Sequence, residues 1–249
     1  LKNLRFTWVL AVGLGALGVT GCAEKESSVN ELTVQANAAA PAGQIISSAQ
    51  AVEWTTRFQE ANPQEIWAVF TEAGIFNQLL SQADCQGLRL YHGTDSGGDN
   101  TFVMVGVNSE GADMTEGLLA DEAAKCPPNS YRSILLAKPG EEPKAPVLPA
   151  GTLIPLDKAI EMTMHYQAKH AGSGRAGYFS SRVYWELLEQ PGCIGIRVYK
   201  GLKEGNIECF VLVGVNEKGV DMTEGLLYDM AAPCPPNCSA ESPLMHGEQ

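Results

Sequence analysis

The chain contains its own sequence twice, and no other feature narrows its fold as much. Phe102-Val-Met-Val-Gly-Val-Asn108 returns as Phe210-Val-Leu-Val-Gly-Val-Asn216, and Met114-Thr-Glu-Gly-Leu-Leu119 returns as Met222-Thr-Glu-Gly-Leu-Leu227, both 108 residues on. The same offset carries Cys85-Gln-Gly-Leu-Arg-Leu-Tyr91 onto Cys193-Ile-Gly-Ile-Arg-Val-Tyr199, and Cys126-Pro-Pro-Asn129 onto Cys234-Pro-Pro-Asn237. Of the 85 positions from Ile45 to Asn129, about 36 are identical to their partners, without a gap. Self-similarity at a fixed period means that both stretches are built to one plan. The pattern predicts a tandem duplication, with repeat units at 45–130 and 153–240, a Pro-rich linker at 131–152 and a tail at 241–249. With 45% hydrophobic residues the chain can bury a core, which excludes wholesale disorder.

A pattern seen twice also sharpens the element reading. Residues 47–62 read as an amphipathic helix: Ser47 and Gln50 form a capping-box pair, Ala51, Val52, Thr55 and Phe58 make the inward stripe, and Pro63 stops it. In the second unit Pro155 opens the helix, Ala159, Ile160, Thr163 and Tyr166 repeat the stripe, and Gly172 ends it. Short strands are expected at 66–70 and 174–179. A second helix follows, with Thr71 or Ser180 as N-cap and Ile75, Phe76, Leu79, Leu80 or Val183, Tyr184, Leu187, Leu188 as its apolar face. Leu88 to Tyr91 and Phe102 to Val107 read as a hairpin turned by the Asp95 to Asn100 region. The expected fold class is α+β: two tandem two-layer units, each about α-β-α-β-β, with an irregular tail.

The N-terminus carries an address. Lys2 and Arg5 precede an uncharged, mostly apolar run from Phe6 to Thr20, and Val19-Thr20-Gly21-Cys22 closes it. Roughly 15 residues fall short of the roughly 20 that span a bilayer as a helix, and fit the apolar segment of a secretory signal peptide. The last four residues resemble the bacterial lipobox. That resemblance implies a lipoprotein signal peptide at 1–21, cleavage before Cys22, acylation (such as palmitate) of Cys22, and a flexible tether at 22–44. Acyl chains contribute about 0.8 kcal/mol per buried methylene, so two or three hold a protein to a membrane. If the cell is Gram-negative, Ala23 after the Cys implies, by the same resemblance, the outer membrane, on its periplasmic or surface face. The net charge of -12, from 29 acidic against 17 basic residues, argues against a nucleic-acid partner.

Six further Cys in an exported chain read as a disulfide framework. Cys85 and Cys126 have counterparts in Cys193 and Cys234, so each unit is expected to close its own bridge. Cys209 and Cys238 correspond to Thr101 and Ser130, so both members of a third bridge are missing together from the first unit. Each long loop closed this way would add roughly 3–4 kcal/mol in the chain-entropy model. Cys234-Pro-Pro-Asn-Cys238 has neither a familiar zinc spacing nor a C-x-x-C redox spacing, and no metal or cofactor is expected.

The chain carries no G-x-S-x-G, Walker loop or H-E-x-x-H. His92 aligns with Lys200, His165 with Arg57 and His170 with Asn62, while His246 lies in the tail, so the units share no His and each reads as a surface or boundary residue. Most shared polar residues, such as Asn108 and Asn216, read as turn or cap residues. Arg89 and Tyr91, with Arg197 and Tyr199, are the exception, because strand alternation puts them opposite the Leu88 and Leu90 face. Two arrangements satisfy that pattern. The units press these faces together and bury them, or the faces form a groove in which Arg and Tyr meet a ligand or partner.

The combination G-(I/L)-R-(V/L)-Y-x-G, F-V-x-V-G-V-N-x-x-G-x-D-M and C-P-P-N resembles a set of uncharacterised bacterial exported or lipid-anchored proteins in which the unit mostly occurs once. The likeness covers both units and implies no activity. The sequence thus predicts a non-enzymatic binding or scaffolding module, held to the membrane by its N-terminal lipid and meeting an envelope protein or a small ligand. The alternative is a hydrolase-type envelope enzyme with a site between the units, drawn from Glu161, His165, Arg197 and Tyr199.

Overall fold

The computed structural model describes residues 42–121, 124–127, 133–136, 148–229, 231–239 and 241–246, all within one compact unit, Ala38–Gln249. The expected signal peptide, Cys22, residues 22–41 of the tether and residues 137–147 of the linker lie outside the described residues. One order of elements occurs twice. The first series is β1 (Gln44–Ile45), α1 (Ser48–Ala61), β2 (Ala68–Glu72), α2 (Ala73–Leu80), β3 (Gly87–Thr94), β4 (Asn100–Val107), β5 (Leu119–Asp121) and β6 (Ala124–Cys126). The second is β7 (Thr152–Ile154), α3 (Leu156–Lys169), β8 (Ala176–Ser180), α4 (Ser181–Leu188), β9 (Cys193–Leu202), β10 (Glu208–Asn216), β11 (Leu227–Asp229) and β12 (Ala232–Cys234), with a 3-10 turn at Glu204–Asn206. Among the described residues no helix is long and apolar enough to cross a membrane.

Local chemistry explains most boundaries. The capping box at α1 is formed, with Gln50 N–H donating to Ser47 Oγ at 3.3 Å and Ser47 N–H donating to Gln50 Oε1 at 3.1 Å. Pro155 is the N-cap of α3, and Asp157 and Lys169 suit the helix dipole at either end. The helix ends at His170, before Gly172 is reached. The second helices begin one residue later than expected in the first half: Glu72 is the N-cap of α2, whereas Thr71 belongs to β2 and is buried. Asp95 Oδ1 accepts from the N–H groups of Gly97 and Asp99 at 2.9 and 3.0 Å, which makes the β3–β4 turn. The expected irregular tail instead supplies β5, β6, β11 and β12.

The sheets do not respect the sequence repeat. One runs β1-β11-β10-β9-β2-β6 and the other β7-β5-β4-β3-β8-β12, all antiparallel, so each sheet takes three strands from each half. The registers are counterparts: Ala68 of β2 pairs with Tyr199 of β9, and Ala176 of β8 with Tyr91 of β3. Exchanging the halves therefore turns one sheet into the other.

Helices line both faces of each sheet, which corrects the expectation of two self-contained two-layer units. Helix α1 covers the outer face of the first sheet, where Ala51 packs with Tyr199, Val211 and Val213. Helix α3 covers the second, where Ala159 and Met162 pack with Tyr91, Val103 and Val105. The inner faces share one central core, in which Leu88, Leu90, Ile196, Val198 and Leu212 meet Phe76 and Leu79 of α2 and Tyr184 and Leu187 of α4. Each such fully buried side chain contributes roughly 1.5–3 kcal/mol from removal of apolar surface from water.

The exchange also corrects the disulfide map. Cys85 precedes β3 in one sheet while Cys126 lies on β6 in the other; Cys193 opens β9 while Cys234 lies on β12, again in different sheets. The bridge present is Cys234–Cys238, which leaves Cys209 on β10 as a buried thiol. Cys85 and Cys193 are thiols that donate to Gly87 O and Gly195 O, each at 3.2 Å.

Candidate functional site

The Arg and Tyr side chains, for which the sequence left open burial between the units or a binding groove, are buried in two equivalent networks, each beneath a helix. Arg89 Nη1 donates to Asp113 Oδ1, Tyr91 OH donates to Asp113 Oδ2 at 2.6 Å, and Arg89 Nη2 donates to Gly111 O at 3.3 Å. Arg197, Tyr199, Asp221 and Gly219 O repeat the arrangement, with Ser133 Oγ added as a donor to Asp221. Arg89 is 4% exposed and Tyr91, Arg197 and Tyr199 are 0% exposed, because α3 and the 241–246 segment lie over one pair and α1 over the other. The networks tie the loops after β4 and β10 back to β3 and β9, a structural use of paired charge that is costly to break. Burial pushes the Tyr91 and Tyr199 hydroxyls up, with the Asp113 and Asp221 carboxylates acting in the same direction, so both stay protonated donors.

Other shared polar residues do similar work. Asn108 Oδ1 accepts from the N–H groups of Glu110 and Ala112, and Asn216 Oδ1 from those of Lys218 and Val220. Gln82 and Gln190, an identical pair that the sequence reading passed over, accept from Leu118 and Leu226 N–H at 2.6 and 2.9 Å. A Cβ on Gly117 or Gly225 would sit 2.1 Å from those Gln oxygens, which explains both glycines.

The residues suggested for an enzyme site do not meet. Glu161 and His165 are exposed on α3, over the second sheet, while Arg197 and Tyr199 are buried under α1 in the first.

The groups that do converge come from positions where the halves differ. His92 on β3 and Lys200 on β9 are counterparts, and they meet at a seam with Phe102 and Phe210, whose rings touch edge to face at 5.2 Å. His92 stacks on Tyr166 at 4.8 Å and contacts both Phe rings at 5.1 Å, and His170 stacks on Tyr166 at 4.1 Å. Lys200 Nζ lies 3.3 Å from Glu65 Oε2, 5.5 Å from the centre of the Phe58 ring and 6.0 Å from that of Phe102. Burial lowers the Lys200 ammonium, offset in part by Glu65. Burial, with Lys200 and His170 nearby, holds the His92 imidazole well below its ordinary value, so it is neutral near pH 7. Its Nδ1 is buried without a hydrogen-bond partner among the described residues.

Two cavities adjoin this seam and share His92, Glu208 and Cys209 in their walls. The smaller, about 40 Å³, contains Lys200, Glu65 and Tyr166. The larger, about 130 Å³, is bounded by Gly174, Ala176, Gly177, Ile207, Phe210 and the Lys203–Asp229 ion pair. A separate cleft of about 510 Å³ opens over Arg89, Tyr178 and Asn237. Its counterpart in the other half is packed with Phe70, Ala150 and Val215. Among the described residues no group of three His, Cys, Asp or Glu side chains is placed to hold a metal ion. The sequence signal for the seam was the divergence of His92 from Lys200 and of Asn62 from His170, which reads as unimportance until the sheets are assembled.

No protein-family model, no curated protein and no solved structure matches this chain.

Proposed function

We propose that this protein is a lipid-anchored component of a bacterial envelope that acts by binding, and that it arose by tandem duplication of one α+β unit, after which the two copies diverged at the seam. The anchor rests on the basic, apolar and Val19-Thr20-Gly21-Cys22 pattern of the N-terminus, read as a lipoprotein signal with Cys22 as the acylated residue. The observation that carries the binding reading is the seam cavity of about 130 Å³, close in size to engineered cavities that hold benzene. It joins apolar walls to His92 and Glu208, the combination that small-molecule sites use for affinity and orientation. The duplication supports the same reading, since several positions at which the halves differ, His92, Lys200, Lys203 and Glu208 among them, stand around the two cavities.

Intact-mass analysis of protein purified from membranes tests the anchor. The expected result is a chain beginning at Cys22 with an added acyl mass, which Cys22→Ala abolishes together with membrane recovery. An unmodified N-terminus on membrane-derived protein overturns it. A fragment screen by ligand-detected NMR tests the binding reading, with hits expected on the wild type and lost when Gly174→Ile fills the cavity.

A further inference from the structure

We infer that the seam cavity is selective for a small protonated amine carrying an apolar body about the size of one ring, an assignment that rests on the binding reading above.

Of two side chains missing beside the cavity, one leaves the space open and the other makes room for its wall. At the positions of Gly174 and Gly177 the other half has Ile66 and Val69; Val69 is 1% exposed in the central core and Ile66 packs against that core. A Cβ on Gly177 would lie 2.7 Å from Phe210 Cε2, so this glycine lets the Phe210 ring lean in as a wall. A Cβ on Gly174 would meet nothing closer than Glu208 Oε2 at 3.8 Å, so the space an Ile would take there is open. Ile207, 63% exposed, stands at the rim.

The polar groups set the ligand's charge. Around the two joined cavities stand three carboxylates, Glu65, Glu208 and Asp229, against two ammoniums, Lys200 and Lys203. Lys200 pairs with Glu65 and Lys203 with Asp229, whereas Glu208 has no cation within salt-bridge distance among the described residues. His92 stands beside the Phe210 ring, 5.1 Å between ring centres, in the same wall as Glu208. A carboxylate and the faces of aromatic rings are groups that receive an ammonium. The apolar end of the ligand would then lie along Ala176, Ile207 and Phe210. A carboxylate ligand would be repelled by Glu208 at the exposed mouth of the cavity, and a neutral alcohol would gain no charge pairing there.

The test uses the full chain in detergent at pH 7.5 with three probes of one shape: benzylamine, benzyl alcohol and benzoate, titrated by calorimetry. The expected order is benzylamine tightest, by about tenfold over benzyl alcohol, with benzoate weakest. Gly174→Ile should weaken benzylamine by about tenfold or more while leaving the melting temperature unchanged or higher. Glu208→Gln, which keeps the shape of the wall, should bring benzylamine down to the affinity of benzyl alcohol and leave the latter unaltered. If benzyl alcohol or benzoate binds as tightly as benzylamine and Gly174→Ile removes it, the amine assignment is overturned while the cavity remains a binding site. If none of the three binds, or Gly174→Ile changes nothing, both the assignment and the binding reading at this cavity fall.

Discussion

Two equivalent corners of this molecule have taken opposite courses. In one, Ile66 and Val69 complete the central core, and Lys125 on β6 pairs with Asp95 and Asp99 of the neighbouring turn. In the other, Gly174 leaves open space beside a Phe210 ring that leans over Gly177, and the charge pair runs the other way, from Lys203 near the turn to Asp229 on β11. The strand framework is shared and the filling is not. Backbone pairing is set by register and connection, which the two halves share, whereas a cavity needs only the loss of a few methyl groups on one side.

The largest expected effect lies in the shared framework. Asp221→Asn leaves the fully buried Arg197 without its counter-charge, and urea unfolding should show a loss of about 3–5 kcal/mol. Asp113→Asn should cost less, because Arg89 borders the open cleft and water can reach it. Equal losses would mean that the two networks are equally dry. Opening the filled corner is the next step down: Val69→Ala should cost about 2 kcal/mol and create a cavity resembling the natural one. A cost near zero would show that the corner relaxes to close the gap.

The seam adds a pH dependence. Because the folded chain holds His92 well below its ordinary 6.5, the unfolded chain takes up the proton first as pH falls. The His92 contribution is therefore fully present above about pH 6.5 and is lost as pH drops toward the folded value, at up to about 1.4 kcal/mol per pH unit. Glu208 acts in the opposite sense: burial raises it above 4.5, so its contribution is present below that value and lost as pH rises through the folded one. Lys200, His170 and Glu65 stand in the same cluster. In a Glu208→Gln background, stability measured between pH 7 and 5 should fall more steeply for the wild-type His92 than for His92→Gln; parallel curves would place the imidazole in contact with water. The smallest effect is Gly174→Ile, which should raise stability by about 0.5–1 kcal/mol by filling apolar space. A destabilised variant would mean that the corner has no room.

Helix spans, capping at Ser47, the β3–β4 turn and the alternation that separates Leu88 and Leu90 from Arg89 and Tyr91 were legible in the chain, because each depends on neighbours a few residues away. The candidate site was not, since His92, Glu65, Lys200 and Tyr166 are far apart in sequence and each, read alone, is an ordinary boundary residue. The cysteine pairing failed for a related reason: assigning a bridge to each half assumed that each half folds on itself. By itself the sequence determined that two equivalent sets of elements would form, and the N-terminal pattern by which the chain is read as exported. Only the tertiary structure decided which set pairs with which. Ala68 could meet Tyr91 or Tyr199 with the same local chemistry, because the halves present nearly the same strands, and only the assembled chain places Ala68 against Tyr199. That exchange brings His92 and Lys200 to one seam and separates Cys85 from Cys126.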